Sequence, residues 1–207
     1  AGLKWTVDHA YGGSPFYRKR MTETRIRPED MGSLEDLQKL PFTTADDLRE
    51  GYPFPLLSVP MERVVRIHAS SGTTGKRKVL TYTEKDISDW ADMFARCYEL
   101  AGLTREDRVQ IAVGYGLWTA GAGFQLGAER FGAMAVPVGP GNLDMHCEIM
   151  VDLQTTVFCC TASMGLLMAE EVKKRGLQDR VNLKKVIFGA ERHSEAMRRN
   201  IKEYLRA

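Results

Sequence analysis

The chain contains four cysteines and not one Cys-x-x-Cys pair. Cys97, Cys147, Cys159 and Cys160 therefore match neither a zinc ribbon nor a thioredoxin-type redox motif. Cys159 and Cys160 adjoin within an apolar run and read as buried strand residues. No apolar run comes near the roughly 18 residues of a membrane helix, and no signal peptide is visible. A cytoplasmic protein with no membrane partner is expected. An excess of one sign of charge is missing too: a net charge of +2 gives no support to a nucleic-acid partner. Internal repeats and low-complexity tracts are absent. His193 has no visible ligating companions, so no metal ligand is assigned. What remains is 207 residues, 43% hydrophobic and 27% charged, enough for a soluble domain with a sizeable core.

One stretch organises the rest. Ala69-Ser70-Ser71-Gly72-Thr73-Thr74-Gly75 is small, hydroxylated or glycine throughout, and Lys76, Arg77 and Lys78 close it. Val64, Val65 and Ile67 make the preceding Glu62–His68 segment a strand, and Lys78–Tyr82 reads as a second strand. Glycines let backbone N–H groups converge on one point, and hydroxyls add donors. With three cations beside them, these groups suit a polyphosphate. A plain hairpin turn with a solvated basic run is the alternative; the length of the donor run favours phosphate. This is not the Walker loop, because two residues rather than four separate Gly72 from Gly75 and Arg77 follows Lys76.

Residues 1–60 read as a helical or irregular segment, and 61–207 as an α/β region. Ala1–Arg27 has little periodicity, with Ser14-Pro15-Phe16-Tyr17 a short anchor and turn. Ser33–Leu40 is expected to be a short helix, with Leu34, Leu37 and Leu40 every three residues. Thr44 and Asp47 form a capping box for another. Thr83 starts the clearest helix, with Ile87, Trp90, Ala91, Phe94, Tyr98 and Ala101 on one stripe and Gly102 at its end. Strands at Arg108–Val113, Met134–Val138, Thr156–Cys160 and Leu183–Phe188 alternate with helices. These start after Trp118, near Leu143, at Thr161 or Ser163, and at Ser194. The expected fold class is α/β: a mostly parallel sheet flanked by helices through right-handed crossovers. Ligands bind such sheets beyond the carboxyl ends of the strands. Gly114-Tyr115-Gly116-Leu117-Trp118 and Gly189-Ala190-Glu191-Arg192 both follow strands directly. From the residues alone, the first is as well read as an aromatic core pair and the second as a connector. His68, at a strand end, reads as a structural histidine.

Ser-Ser-Gly-Thr-Thr-Gly-Lys resembles the phosphate loop of the adenylate-forming, AMP-forming acyl-CoA ligases. Val65-Arg66-Ile67-His68-Ala69, Tyr82-Thr83-Glu84-Lys85-Asp86-Ile87 and Gly114–Trp118 narrow the resemblance to phenylacetate–CoA ligases, from about Ser14 onward. The resemblance implies an N-terminal portion of the large domain of an ATP-dependent ligase of phenylacetate catabolism. Such a ligase makes an acyl-adenylate and passes the acyl group to CoA, with Mg²⁺ on the nucleotide. It implies that Ser70, Ser71, Gly72, Thr73, Thr74, Gly75 and Lys76 hold the ATP phosphates. Gly189, Ala190, Glu191 and Arg192 contact adenine; Val113, Tyr115, Trp118 and Ala190 line the acid pocket. Gly139-Pro140-Gly141-Asn142 resembles a family Gly-Gly-Asn loop and reads as a helix entry capped by Asn142. Four departures stand out: Ala45 replaces a family Lys, Val113 a Tyr, Trp118 a Phe and Arg192 a Pro. Those at Val113 and Trp118 point to an aryl or apolar acid with an altered pocket. The family's magnesium acid, ribose Asp, hinge and C-terminal lysine all fall after Ala207. No catalytic residue is therefore assigned, and the chain alone is expected to be inactive and to self-associate or form a homodimer. Two alternatives stay open: an enzyme that adenylylates another acceptor, such as a deazaflavin coenzyme, and a non-catalytic nucleotide-binding module.

Overall fold

A computed structural model describes residues 2–71 and 75–207. The chain divides into two compact units, Ala1–Ile87 and Ser88–Ala207.

The first unit begins with two helices, α1 (Gly2–Gly13) and α2 (Pro15–Glu23), where periodicity had suggested little structure. Their cause is local. Ser14 caps α2, its hydroxyl accepting from Tyr17 N, and Pro15 occupies the first helical position, where its missing N–H costs nothing. Only Val7 and Met21 of these helices are buried, and they pack with Met31 in a small core. So few inward residues leave no readable stripe. The Ser33–Leu40 expectation becomes a five-residue 3₁₀ turn, Glu35–Lys39. A leucine repeat of three matches that tighter winding better than the 3.6 of an α-helix. Thr44 and Asp47 do form a reciprocal capping box on α3 (Ala45–Glu50), and Arg20 of α2 reaches Asp47 at 2.8 Å. Strands β1 (Arg66–Ala69) and β2 (Val79–Tyr82) pair antiparallel as a sheet of their own, with Ala69 opposite Val79. β1 is shorter than expected because residues 61–63 wind into a 3₁₀ turn.

The second unit is the parallel sheet. Helix α4 (Glu84–Leu100) straddles the boundary between units, and a Thr83–Asp86 exchange closes its first turn. There follow β3 (Arg108–Ile111), α5 (Ala120–Phe131), β4 (Met134–Val136) and α6 (Leu143–Asp152). The chain continues through β5 (Val157–Thr161), α7 (Ala162–Lys174), β6 (Lys185–Gly189) and α8 (Glu195–Leu205). All sheet pairings are parallel, in the order β4-β3-β5-β6. Alternation along β5 splits the core. Val157 and Cys159 face Tyr98 of α4 and Ala128 of α5; Phe158 and Cys160 face Met150, Met168 and Ile201 of α6, α7 and α8. Helices thus cover both faces. Helix α5 comes close to α4 through glycine: a Cβ on Gly127 would lie 2.4 Å from Phe94 Cβ. Chain order sends β3 outward to β4 and then back across to β5. The reversal lies between β3 and β5, the place where open parallel sheets form a ligand crevice.

Candidate functional site

The loop between β1 and β2 is closed at its neck. Ser70 N donates to Lys78 O at 3.0 Å, and Lys78 N donates back to Ser70 Oγ at 3.0 Å. Ser70 Oγ acts here as an acceptor and, among the described residues, donates to no partner. Arg77 Nη1 donates to Ser70 O at 3.0 Å, which turns the guanidinium back onto the neck. Gly75 has φ 132°, a conformation open to glycine. Ser71 and Lys76 are exposed, and the Lys76 ammonium lies 5.2 Å from the centre of the Tyr52 ring. Gly72, Thr73 and Thr74, the centre of the expected phosphate loop, lie outside the described residues. His68 is buried and meets Tyr82 edge-on, in keeping with a structural role. A cleft of about 580 Å³ in this unit runs along β2 beside Trp5, His9 and Phe54, and Lys76 does not line it. In it His9 Nε2 lies 2.9 Å from Ser58 Oγ, a pair that no spacing in the sequence announced.

At the carboxyl edge of the parallel sheet, three connections follow β3, β6 and β4. After β3, Val113 is buried in the core with Ile111 and Ala128. Tyr115 packs partly against the same cluster, and its enclosed hydroxyl has no hydrogen-bond partner among the described residues. Burial pushes its pKa up to about 12. Trp118 is 43% exposed, whereas Val113 is buried. Gly121 N donates to Gly114 O at 3.0 Å and shuts this turn.

After β6, Ala190 takes φ 67°, a left-handed conformation costly for a residue with a Cβ. Glu191 reaches across to α7: one oxygen accepts from Ser163 N at 2.7 Å and Ser163 Oγ at 2.6 Å. These bonds hold its carboxyl below the usual range. Of the two capping candidates for α7, Thr161 is the cap, accepting from Met164 N. Arg192 is exposed, and His193 packs edge-on against Phe188.

After β4, Asn142 caps α6 by accepting from Met145 N, as its position implied. A buried polar chain lies beneath this connection. Thr155 Oγ1 donates to Gln110 Oε1 at 2.8 Å, and Gln110 Nε2 lies 2.8 Å from His146 Nδ1. His146 Nε2 is 2.9 Å from Gly139 O. Since a carbonyl only accepts, Nε2 carries the proton and Nδ1 accepts from Gln110. Burial lowers the pKa of His146. Sequence reasoning passed over this chain. Its signal was Gln110, a polar residue inside Val-Gln-Ile-Ala-Val.

The sheet thus gathers Tyr115, Trp118, Gly189, Ala190 and Glu191 at one edge, while Val113 sits in the core and Ser70 to Lys76 belong to the other unit. Among the described residues no three His, Cys, Asp or Glu side chains cluster as a metal site, and no helix is long and apolar enough to cross a membrane. No protein-family model matches the chain. It is 42% identical over 204 residues to the phenylacetate–coenzyme A ligase of Pseudomonas putida, covering 98% of this chain and 46% of that protein. To that of Escherichia coli K12 it is 43% identical over 205 residues, covering 98% and 47%. Among solved structures, an open 2-hydroxyisobutyryl-CoA ligase in complex with 2-HIB-AMP and CoA superposes with a TM-score of 0.89 at 25% identity. It covers 98% of this chain and 46% of that one. The chain is homologous over nearly its whole length to the N-terminal part of phenylacetate–coenzyme A ligases, within the adenylate-forming ligases, and spans about half the length of those relatives.

Proposed function

We propose that the protein carrying this chain joins an aryl or apolar carboxylic acid to CoA, using ATP and releasing AMP and pyrophosphate. A carboxylate resists a thiol because its leaving group would be oxide. Attack of its oxygen on the α-phosphorus forms an acyl-adenylate as the bond to the β-phosphate breaks. The CoA sulfur then adds to the carbonyl, and AMP leaves with the bonding electrons. In this reading Ser70 to Lys76 hold the departing pyrophosphate by N–H groups, hydroxyls and the Lys76 charge. The Gly189–Arg192 turn meets adenine, and Tyr115, Trp118 and Ala190 meet the acid. Val113 shapes that pocket from the core behind it. Magnesium would arrive on the nucleotide, and none of the described carboxylates is assigned to it. The enzyme is read as cytoplasmic, with self-association through uncovered surface.

One observation carries the reading: a neck-closed loop that leaves Ser71 and Lys76 exposed beyond it. Similarity to a ligase solved with an acyl-adenylate and CoA supports it. The test is to incubate the full-length protein with ATP, Mg²⁺, CoA and phenylacetate or a larger aryl acid. The expected products are AMP and a thioester. Adenylate formation without CoA consumption would point to another acceptor, and ADP as product would contradict the mechanism.

A further inference from the structure

We propose that Glu191 is a positioning residue that clips the Gly189–Arg192 turn to the first turn of α7, so that the turn offers its backbone to the nucleotide base. The inference rests on the reading above, in which this turn meets adenine. The sheet register makes the clip possible. Thr161, the cap of α7, lies opposite Gly189, the last residue of β6, so the turn and the helix start at one level. Two residues on, Glu191 takes both the N–H and the hydroxyl hydrogen of Ser163 on a single oxygen. Its side chain is thereby committed to α7. Thr161 already accepts from Met164 N, so the helix has a cap without Glu191. What needs the second tie is the turn. Ala190 is held at φ 67°, which a residue with a Cβ leaves readily unless its neighbours fix it. The strand on one side and the Glu191–Ser163 bonds on the other supply that constraint. The depressed pKa of Glu191 fits a carboxylate that stays ionised at neutral pH.

The test compares Glu191→Ala, Glu191→Gln and Ser163→Ala in the full-length protein. ATP and AMP binding are followed by calorimetry, with steady-state constants, thermal midpoint and amide exchange. Losing the charge-assisted pair should raise KM for ATP about tenfold in Glu191→Ala with KM for CoA unchanged. The midpoint should stay within about 2 °C, because α7 keeps its Thr161 cap. Amide exchange should quicken at Ala190–Arg192 and not within α7. Glu191→Gln keeps an acceptor oxygen and should recover most of the loss, and Ser163→Ala, which keeps its N–H, should fall between. If Glu191→Ala leaves nucleotide affinity unchanged, or lowers the midpoint with unaltered constants in the folded fraction, Glu191 is a helix cap and the proposal fails. A wild-type protein that binds neither ATP nor AMP overturns the functional reading itself, and the positioning role with it.

Discussion

The β1–β2 loop and the carboxyl edge of the parallel sheet are built on opposite plans. Among the described residues, the loop is tied at its neck by Ser70, Lys78 and Arg77, and beyond that neck Ser71 and Lys76 are exposed. The sheet edge is tied into its own core. Val113 and Tyr115 continue the buried cluster around Val109 and Ile111, and His146 joins Gly139 to a fully buried Gln110. A loop of the first kind can be altered at small cost in stability. At an edge of the second kind, changes at the buried Val113 and His146 cost stability, while the exposed Trp118 and Glu191 can be altered with little effect on it.

That contrast can be broken in order of expected effect. Phe158 is fully buried on the α6–α7–α8 side of the sheet, so Phe158→Ala should cost about 3–5 kcal/mol in urea unfolding. A cost below about 1 kcal/mol would mean this face is not the packed core described. His146→Ala orphans the Gly139 carbonyl and one Gln110 N–H, and should cost about 2–3 kcal/mol. The same residue gives a pH signature. Its folded pKa lies below the ordinary 6.5, so the unfolded chain takes the proton first. Stability should be full above about pH 6.5 and fall as pH drops through that value, and His146→Ala should lack this acid limb.

The loop should behave otherwise. Lys76→Ala should leave the unfolding midpoint unmoved yet slow ATP–pyrophosphate exchange by a factor corresponding to about 1.5–3 kcal/mol. An unchanged exchange rate would remove Lys76 from the phosphate site. The exposed Trp118 should give the smallest effect. Trp118→Ala should change the ratio of kcat/KM between aryl acids about tenfold with little change in KM for ATP. If it lowers the midpoint and leaves selectivity intact, Trp118 is packing alone.

Local signals carried most of the fold. Thr44 with Asp47, Asn142, Thr161 and Ser194 each bond within three residues, and each marks a helix start where the sequence suggested one. The strand–helix alternation is an equally short-range pattern. Helices α1 and α2 bury too little to leave a stripe, and leucines every third residue fit the 3₁₀ winding of Glu35–Lys39 as well as one face of an α-helix. The ties at the site escaped for a different reason. Gln110 and His146 are 36 residues apart, and Ser163 and Glu191 are 28 apart. Only the parallel register brings such pairs together, and no local window contains it. Val113 was expected to end a strand, but β3 stops at Ile111 and Val113 lies in the bend beyond it, buried in the core, a placement set by tertiary packing rather than by local pattern.

Acid-dependent ATP–pyrophosphate exchange by the full-length protein tests the central claim most directly. Adenylate formation is reversible only while the acid is present, so labelled pyrophosphate should enter ATP on addition of an aryl acid and without CoA. Exchange that ignores the acid, or its absence with every aryl and apolar acid tried while ATP still binds, would contradict the account.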